Sequence, residues 1–348
     1  MNKIGIIGVR GLPAKHGAFD SFLQQFISSD DLKTKDIKFY VSCDRDFRNY
    51  NFKQNKVTRI FVYRGKGFYI LIHYFLSILR MFFSGVRTFL FFGYGAAIFF
   101  PILKVLNCKI ICNPDGIEWK RPGGKIKKLF FKLCENLFSK CQIDRIFDSK
   151  VIKKYYKINY GVDGKVIYYP SGFENNPLKI KKKKIFERFY ILGRLLEENN
   201  TELIIKAFAK SEGNKKLYVI GKSNNYFNKK IKPLIDSKKN IIFLGAIYDR
   251  QKLFNICTCC DYYIHGHSVG GTNPTLIEAI NIKKKILSFK TSFNREILSD
   301  NAMYFKNESD LLKILNFNKY KSLQIPYYKK EFTAKYINSA YLSILLDT

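Results

Sequence analysis

His265-Gly266-His267-Ser268-Val269-Gly270-Gly271-Thr272-Asn273-Pro274-Thr275-Leu276-Ile277-Glu278-Ala279 decides how this chain is read. The apolar run Tyr262–Ile264 before it has the character of a short buried strand, and Thr275–Ile280 has that of the first turns of a helix. Adjacent glycines between a strand and a helix let the backbone approach a ligand closely. The helix start adds unpaired N–H groups and a positive dipole end, which suit a phosphate. Glu278, one turn inside, can accept hydrogen bonds from sugar hydroxyls. An anion cradle followed by a carboxylate suits a nucleotide-sugar. The same residues would also serve an ordinary glycine-rich turn with a surface Glu.

Outward from this stretch, strands alternate with helices, the pattern of parallel α/β sheets. Lys3–Gly8, Asp36–Cys43, Thr58–Tyr63, Ile110–Asn113 and Ile146–Ser149 read as strands, as do Phe189–Arg194, Lys216–Gly221, Ile241–Gly245 and Lys284–Phe289. Ser21–Ile27, Lys125–Lys140 and Thr201–Lys210 read as helices. Two domains are expected, over residues 1–176 and 177–331, joined by the Lys-rich linker Pro177–Lys184, with a C-terminal helix in 332–348. In such folds ligands bind at the carboxyl ends of the strands, and the main motifs stand at such ends.

Composition narrows the function classes. The net charge of +33 predicts attraction to something anionic, although lysines are spread along the whole chain. No zinc-finger, RRM or KH signature accompanies it, so a specific nucleic-acid partner is not expected. Eight cysteines without a secretory signal fit a reduced cytoplasmic protein. Cys257-Thr258-Cys259-Cys260 lacks a second ligand pair at zinc spacing, so no metal is expected. Gly67–Leu79 and Thr88–Leu103 are free of charge but shorter than the roughly 18–20 residues that span a bilayer. A buried helix plus strand is the default for this region. Its aromatics and flanking cations (Lys66, Arg80, Arg87, Lys104) equally fit an interfacial segment. In Lys125–Lys140 the apolar face is read as Ile126, Leu129, Phe130, Leu133 and Leu137, opposite a basic face that suits an anionic membrane.

Five stretches in order carry a resemblance: Ile7–Ala14, Asp115–Arg121, Ile242–Asp249, the quoted signature, and Phe293–Glu296. Together they resemble the retaining family 4 glycosyltransferases, in their rhamnosyltransferase-like branch with a DUF1972 first domain. The resemblance implies a GT-B fold of two Rossmann-like domains facing a cleft. It implies transfer of a sugar, with rhamnose from dTDP-rhamnose as the expected donor, onto a lipid-linked oligosaccharide in surface polysaccharide assembly. The nucleotide-sugar is a substrate; no cofactor or metal is implied. The expected place is the inner, anionic face of the cell membrane, held peripherally.

The resemblance also assigns residues. Gly193-Arg194 matches the element whose Arg neutralises the diphosphate, and a planar fork can hold two phosphate oxygens. Asp115 and Glu118 join Arg194 as expected catalytic residues. Gly8, Arg10, Gly11, Gly193, Lys222, His267, Gly270, Gly271, Thr272, Asn273 and Glu278 are expected on the donor side. His16, Gly17, Asp20, Trp119, Lys120 and Arg121 are expected on the acceptor side. Gly270 occupies the place of the first Glu of the wider family's acidic pair, as the rhamnosyltransferase-like branch does, which leaves the sugar to be read by backbone amides near Gly271–Asn273. Two departures stand out. Asn199 occupies the place of a common Lys, with Lys222 as a substitute cation. Gly17-Ala18-Phe19-Asp20 replaces Gly-Gly-Phe-Glu, and Ala18 disfavours a positive φ. Two other readings remain open: a nucleotide-sugar epimerase using His265 and His267, and a polyanion binder driven by charge alone.

Overall fold

A computed structural model describes residues 1–15, 17–121, 123–173 and 186–346. The linker Pro177–Lys184, the expected boundary at 176/177 and His16 lie outside the described residues. The chain forms two compact units: Met1–Tyr169 together with the C-terminal segment from Ala334, and Pro170–Thr333.

The first unit contains β1 (Asn2–Ile7), α1 (Gly17–Ile27), β2 (Ile37–Asp44), β3 (Val57–Val62), α2 (Phe68–Phe83), β4 (Thr88–Phe92), α3 (Phe100–Val105), β5 (Lys109–Asn113), α4 (Lys125–Lys140), β6 (Asp144–Phe147), α5 (Lys150–Tyr160) and β7 (Lys165–Val166). Among the described residues its strands form one parallel sheet ordered β3-β2-β1-β4-β5-β6-β7. Strands buried on both faces read as continuous apolar runs, as in Ile4–Ile7 and Phe89–Phe92.

The second unit contains β8 (Glu187–Leu192), α6 (Thr201–Lys210), β9 (Lys215–Ile220), α7 (Lys232–Asp236), β10 (Ile241–Gly245), α8 (Arg250–Cys259), β11 (Tyr262–His265), α9 (Pro274–Asn281), β12 (Lys285–Phe289), α10 (Ser292–Leu298), β13 (Ala302–Phe305) and α11 (Glu308–Asn316). Its parallel sheet is ordered β10-β9-β8-β11-β12-β13. The last helix, α12 (Ala334–Leu346), belongs to the first unit. There it buries Ile337, Tyr341 and Leu345 against Phe22, Phe26 and Phe92, and Asn113 Nδ2 donates to the Tyr341 hydroxyl at 3.2 Å.

The strand order reverses between β1 and β4 in the first sheet and between β8 and β11 in the second. Loops leaving these strands diverge, and the gap between them is where doubly wound folds bind ligands. The loop Gly8–Gly11 follows β1. Gly193-Arg194 follows β8, and the stretch from Gly266 follows β11. A Cβ on Gly8 would lie 1.9 Å from the Phe92 carbonyl, and its φ is +103°, so only glycine fits where the first loop crosses the end of β4.

Two apolar stripes are left uncovered. Helix α2 is buried on one face only, through Tyr74, Ser77, Ile78 and Met81. Phe68, Ile72, Phe75, Leu79 and Phe83 recur at helical spacing on the opposite, exposed face. In α4 the buried residues are Cys134, Glu135, Phe138 and Ser139, while Ile126, Leu129 and Leu133 face solvent. Apolar periodicity locates a stripe, but it does not say whether the fold covers it.

Candidate active site

In the second unit, three loops at the carboxyl ends of β8, β9 and β11 are tied together. The Gly193 amide donates to the Ile220 carbonyl at 3.1 Å, which brings the Gly193-Arg194 turn beside the end of β9, where Lys222 follows exposed. Asn199 Nδ2 donates to the Arg194 carbonyl at 2.6 Å, and Asn199 Oδ1 lies 2.8 Å from His267 Nδ1. The Ser268 amide and hydroxyl both donate to the Glu198 carbonyl, at 3.0 and 2.7 Å. Asn200 Nδ2 donates to the Gly266 carbonyl at 2.8 Å. Asn199 is therefore a strut between the two loops rather than a vacancy in a clamp: a Lys could not donate to one loop while accepting from the other. The Arg194 side chain is 64% exposed and meets Glu198 at 2.7 Å.

Helix α9 begins with Asn273 as cap, its Oδ1 accepting from the Thr275 amide at 3.0 Å, and with Pro274 at the first position. This pairing of cap and proline suits a helix start. The Thr275 hydroxyl donates to the same Oδ1 at 2.8 Å, so it accepts from the Tyr263 hydroxyl, also at 2.8 Å. Tyr263 then accepts from His265 Nδ1–H at 3.0 Å. One direction of protons satisfies the whole chain and fixes the cap. Gly270 has φ +93°, and Gly271 and Thr272 are buried in the turn that precedes the cap.

Glu278 is 6% exposed, and its Oε1 accepts from Arg250 Nη2 at 2.7 Å. Burial raises its carboxyl pKa; Arg250 and the Gly172 amide pull against that rise. A Cβ on Gly172 would fall 1.7 Å from the Arg250 guanidinium, and the Phe173 ring lies 4.7 Å from it. Arg250 was not foreseen from the sequence. It opens α8 directly behind the matched stretch ending at Asp249, but a pair 28 residues apart leaves no local signal.

In the first unit, Asp20 is 2% exposed and its Oδ1 accepts from the Arg10 amide at 2.9 Å. Its expected acceptor-side role is corrected: the carboxylate supports the loop from within, while the Arg10 side chain stays exposed. The expectation of backbone conflict at Ala18 also fails. The positive φ, +72°, belongs to Gly17, and Ala18 lies inside α1 packed on the core. Asp115 takes φ +58° at the end of β5. Arg121 Nε meets Glu118 at 2.8 Å and its Nη2 meets Asp115 Oδ2 at 3.5 Å. Arg121 thus holds together the two carboxylates expected to act in catalysis, rather than standing apart from them on the acceptor side. Trp119 Nε1 donates to Glu135 Oε2 at 2.6 Å, and the Tyr160 hydroxyl donates to the same oxygen at 2.9 Å. Glu135 was missed as well; it is the one acidic residue in the Lys-rich α4, and that singularity was the available signal. Lys120 is exposed beside the indole.

His265 cannot reach a sugar: it is buried, and its pKa is pushed well below the usual 6.5 by desolvation and then by neighbouring His267. His73, hydrogen-bonded to Ser42 at 2.8 Å in the first unit, is lowered by burial too. Both are neutral when folded and protonate near 6.5 when unfolded. The unfolded chain then binds more protons below that value, so stability is present above it and is lost as pH falls toward the folded pKa values. The midpoint of urea unfolding is expected to drop from pH ~7.5 to ~5.5, less steeply in His265→Asn. Equal midpoints at the two pH values would contradict neutral burial of these imidazoles.

Comparison with known proteins fits this arrangement. Residues 173–313 match the family model described as glycosyl transferases group 1, and residues 1–71 match that of a domain of unknown function, DUF1972. The chain carries both domains. No curated protein matches it in sequence. Among solved structures it is similar to Anabaena Alr3699/HepE in complex with UDP and glucose, at 14% identity over 100% of both chains with a TM-score of 0.73. It is similar to sucrose-phosphate synthase from Thermosynechococcus elongatus, at 13% identity over 100% of this chain and 97% of that one, with a TM-score of 0.75. It is also similar to the lipopolysaccharide outer core galactosyltransferase WaaB, at 14% identity over 99% of each chain with a TM-score of 0.67. The fold is GT-B: two Rossmann-like units with parallel sheets.

Proposed function

We propose that the protein is a retaining glycosyltransferase that moves a sugar, rhamnose from dTDP-rhamnose, onto a lipid-linked oligosaccharide at an anionic membrane surface. The observation that carries this reading is the strand-order reversal at β8/β11. Gly193-Arg194 and the Gly270–Asn273 turn leave these two strands, and Asn199 ties the loops to each other. Arg194, Lys222 and the amides before α9 meet the charge that develops as the nucleoside diphosphate departs. Glu278, seated by Arg250, accepts from the nucleotide ribose. The acceptor hydroxyl attacks the anomeric carbon on the face the diphosphate leaves, and its proton passes to the departing phosphate oxygen. That path needs no strong protein base, and no metal or cofactor takes part. Asp115 and Glu118, held by Arg121, orient the acceptor hydroxyl, and the Trp119 indole stacks on a sugar face.

The test is incubation with each nucleotide-sugar and a lipid-linked saccharide fraction, with the product's anomeric configuration read by NMR. Transfer from dTDP-rhamnose with retention supports the reading. Inversion, or free sugar epimerised without transfer, refutes it.

The membrane part of the proposal is supported by the exposed stripe of α2 and the net charge of +33. Among the described residues no helix is long and apolar enough to cross a membrane. Helices α2 and α4 both pack on Tyr94–Phe99, with Phe75 ring-to-ring on Phe99 at 6.0 Å and Phe131 on Tyr94 at 5.9 Å. Basic residues near an anionic leaflet contribute about 1 kcal/mol each, and salt screens them. The protein is expected to sediment with phosphatidylglycerol vesicles at low salt, and to be released by high salt or alkaline carbonate. Phe75→Asp combined with Leu79→Asp is expected to weaken the binding. Absence of binding at low salt would refute membrane association.

A further inference from the structure

Between Trp119-Lys120 and the first half of α4 lies an open groove of about 620 Å³, lined by Trp119, Lys120, Lys125, Lys128, Leu129 and Lys132. Its charge is uncompensated. Among the described residues none of these four lysines makes an ion pair: nearby Glu118 is held by Arg121, and Glu135 is buried beneath the indole. Lys132 Nζ stands 4.7 Å from the Trp119 ring and Lys120 Nζ 5.5 Å from it. Gathering like charges around one groove raises its affinity for an anion. The floor differs in character from the rim. Leu129 is 71% exposed, and the indole is fixed through its N–H by Glu135. A free phosphate would use only the lysines, and a bare hydrocarbon only the floor.

We propose that this groove binds the phosphate or diphosphate of a lipid-linked substrate, with the lysines on the phosphate and the first part of the alkyl chain along Leu129, the indole being left to the sugar. The proposal rests on the lipid-linked acceptor read above and names where its phosphate is held. Lys125, Lys128, Leu129 and Lys132 have no part in the machinery assigned above, and at their exposed positions substitution leaves the core intact.

Trp119 is the only tryptophan of the chain, so its fluorescence reports this groove directly. The full chain is titrated with farnesyl diphosphate, inorganic diphosphate and farnesol, with no nucleotide-sugar present. Farnesyl diphosphate is expected to change the emission saturably, at a Kd at least about tenfold below that of inorganic diphosphate, with farnesol inert. Lys128→Gln with Lys132→Gln is expected to weaken farnesyl diphosphate at least about tenfold. Leu129→Asn is expected to bring the two anions to similar Kd values. Equal binding of both anions by the unaltered protein would reduce the groove to a free-phosphate site and overturn the proposal. Binding of farnesol alone, no saturable change, or an unchanged Kd in the double lysine variant would overturn it as well. Because no sugar transfer is measured, failure here leaves the glycosyltransferase reading standing, and failure of transfer leaves this titration unaffected.

Discussion

Arg194→Ala is expected to lower turnover about 10²–10³-fold, and Arg194→Lys by less, because Arg194 meets a diphosphate whose negative charge grows as it departs. The side chain is largely exposed, and its pair with Glu198 is of the surface kind, worth at most about 1 kcal/mol. The guanidinium is thus held near its task without being committed elsewhere. With Asn199 serving as a strut, Lys222 is the other cation assigned to the phosphates, so the loss of Arg194 is not spread over several charges. Lysine keeps the charge but gives up the two-pronged geometry, which is why its effect is smaller. Steady-state rates at saturating donor would decide it; full activity in the alanine variant would show that the phosphates are held elsewhere.

Glu278→Gln is expected to weaken nucleotide-sugar binding about 10–100-fold, the equivalent of about 1.5–3 kcal/mol for a lost charge-assisted hydrogen bond. Arg250→Ala is expected to weaken it in the same direction, since it strips a buried carboxylate of the cation that opposes its desolvation. The raised carboxyl pKa adds a sign: binding should fall as pH is lowered through it, and Glu278→Gln should abolish that dependence. Calorimetric titration over pH would register both effects, and unchanged affinity in Glu278→Gln would remove this residue from the donor site.

The sheets were legible because strands buried on both faces read as apolar runs bounded by turn residues, and His265–Ala279 displayed strand, glycine turn and helix start in one stretch. What stayed hidden was side-chain partnership across distance. Glu278 with Arg250 and Trp119 with Glu135 are pairs that no local spacing announces. Asp20 illustrates the reverse error. The resemblance assigns Asp20 to the acceptor, yet its buried carboxylate is taken up by the backbone amide of Arg10. Periodicity likewise marked the apolar stripes of α2 and α4 but not their exposure, which depends on what the chain elsewhere leaves uncovered.

The central claim is that the second unit holds a nucleotide-sugar through Arg194 and Glu278. A thermal-shift series against dTDP-, UDP- and GDP-sugars tests it, because a ligand that binds only the native state raises apparent stability with the logarithm of its concentration over its Kd. dTDP-rhamnose is expected to raise the Tm of the unaltered protein, with a smaller rise in Glu278→Gln and Arg194→Ala and no competition from farnesyl diphosphate. No shift with any nucleotide-sugar at millimolar concentration, or an undiminished shift in both variants, would contradict it.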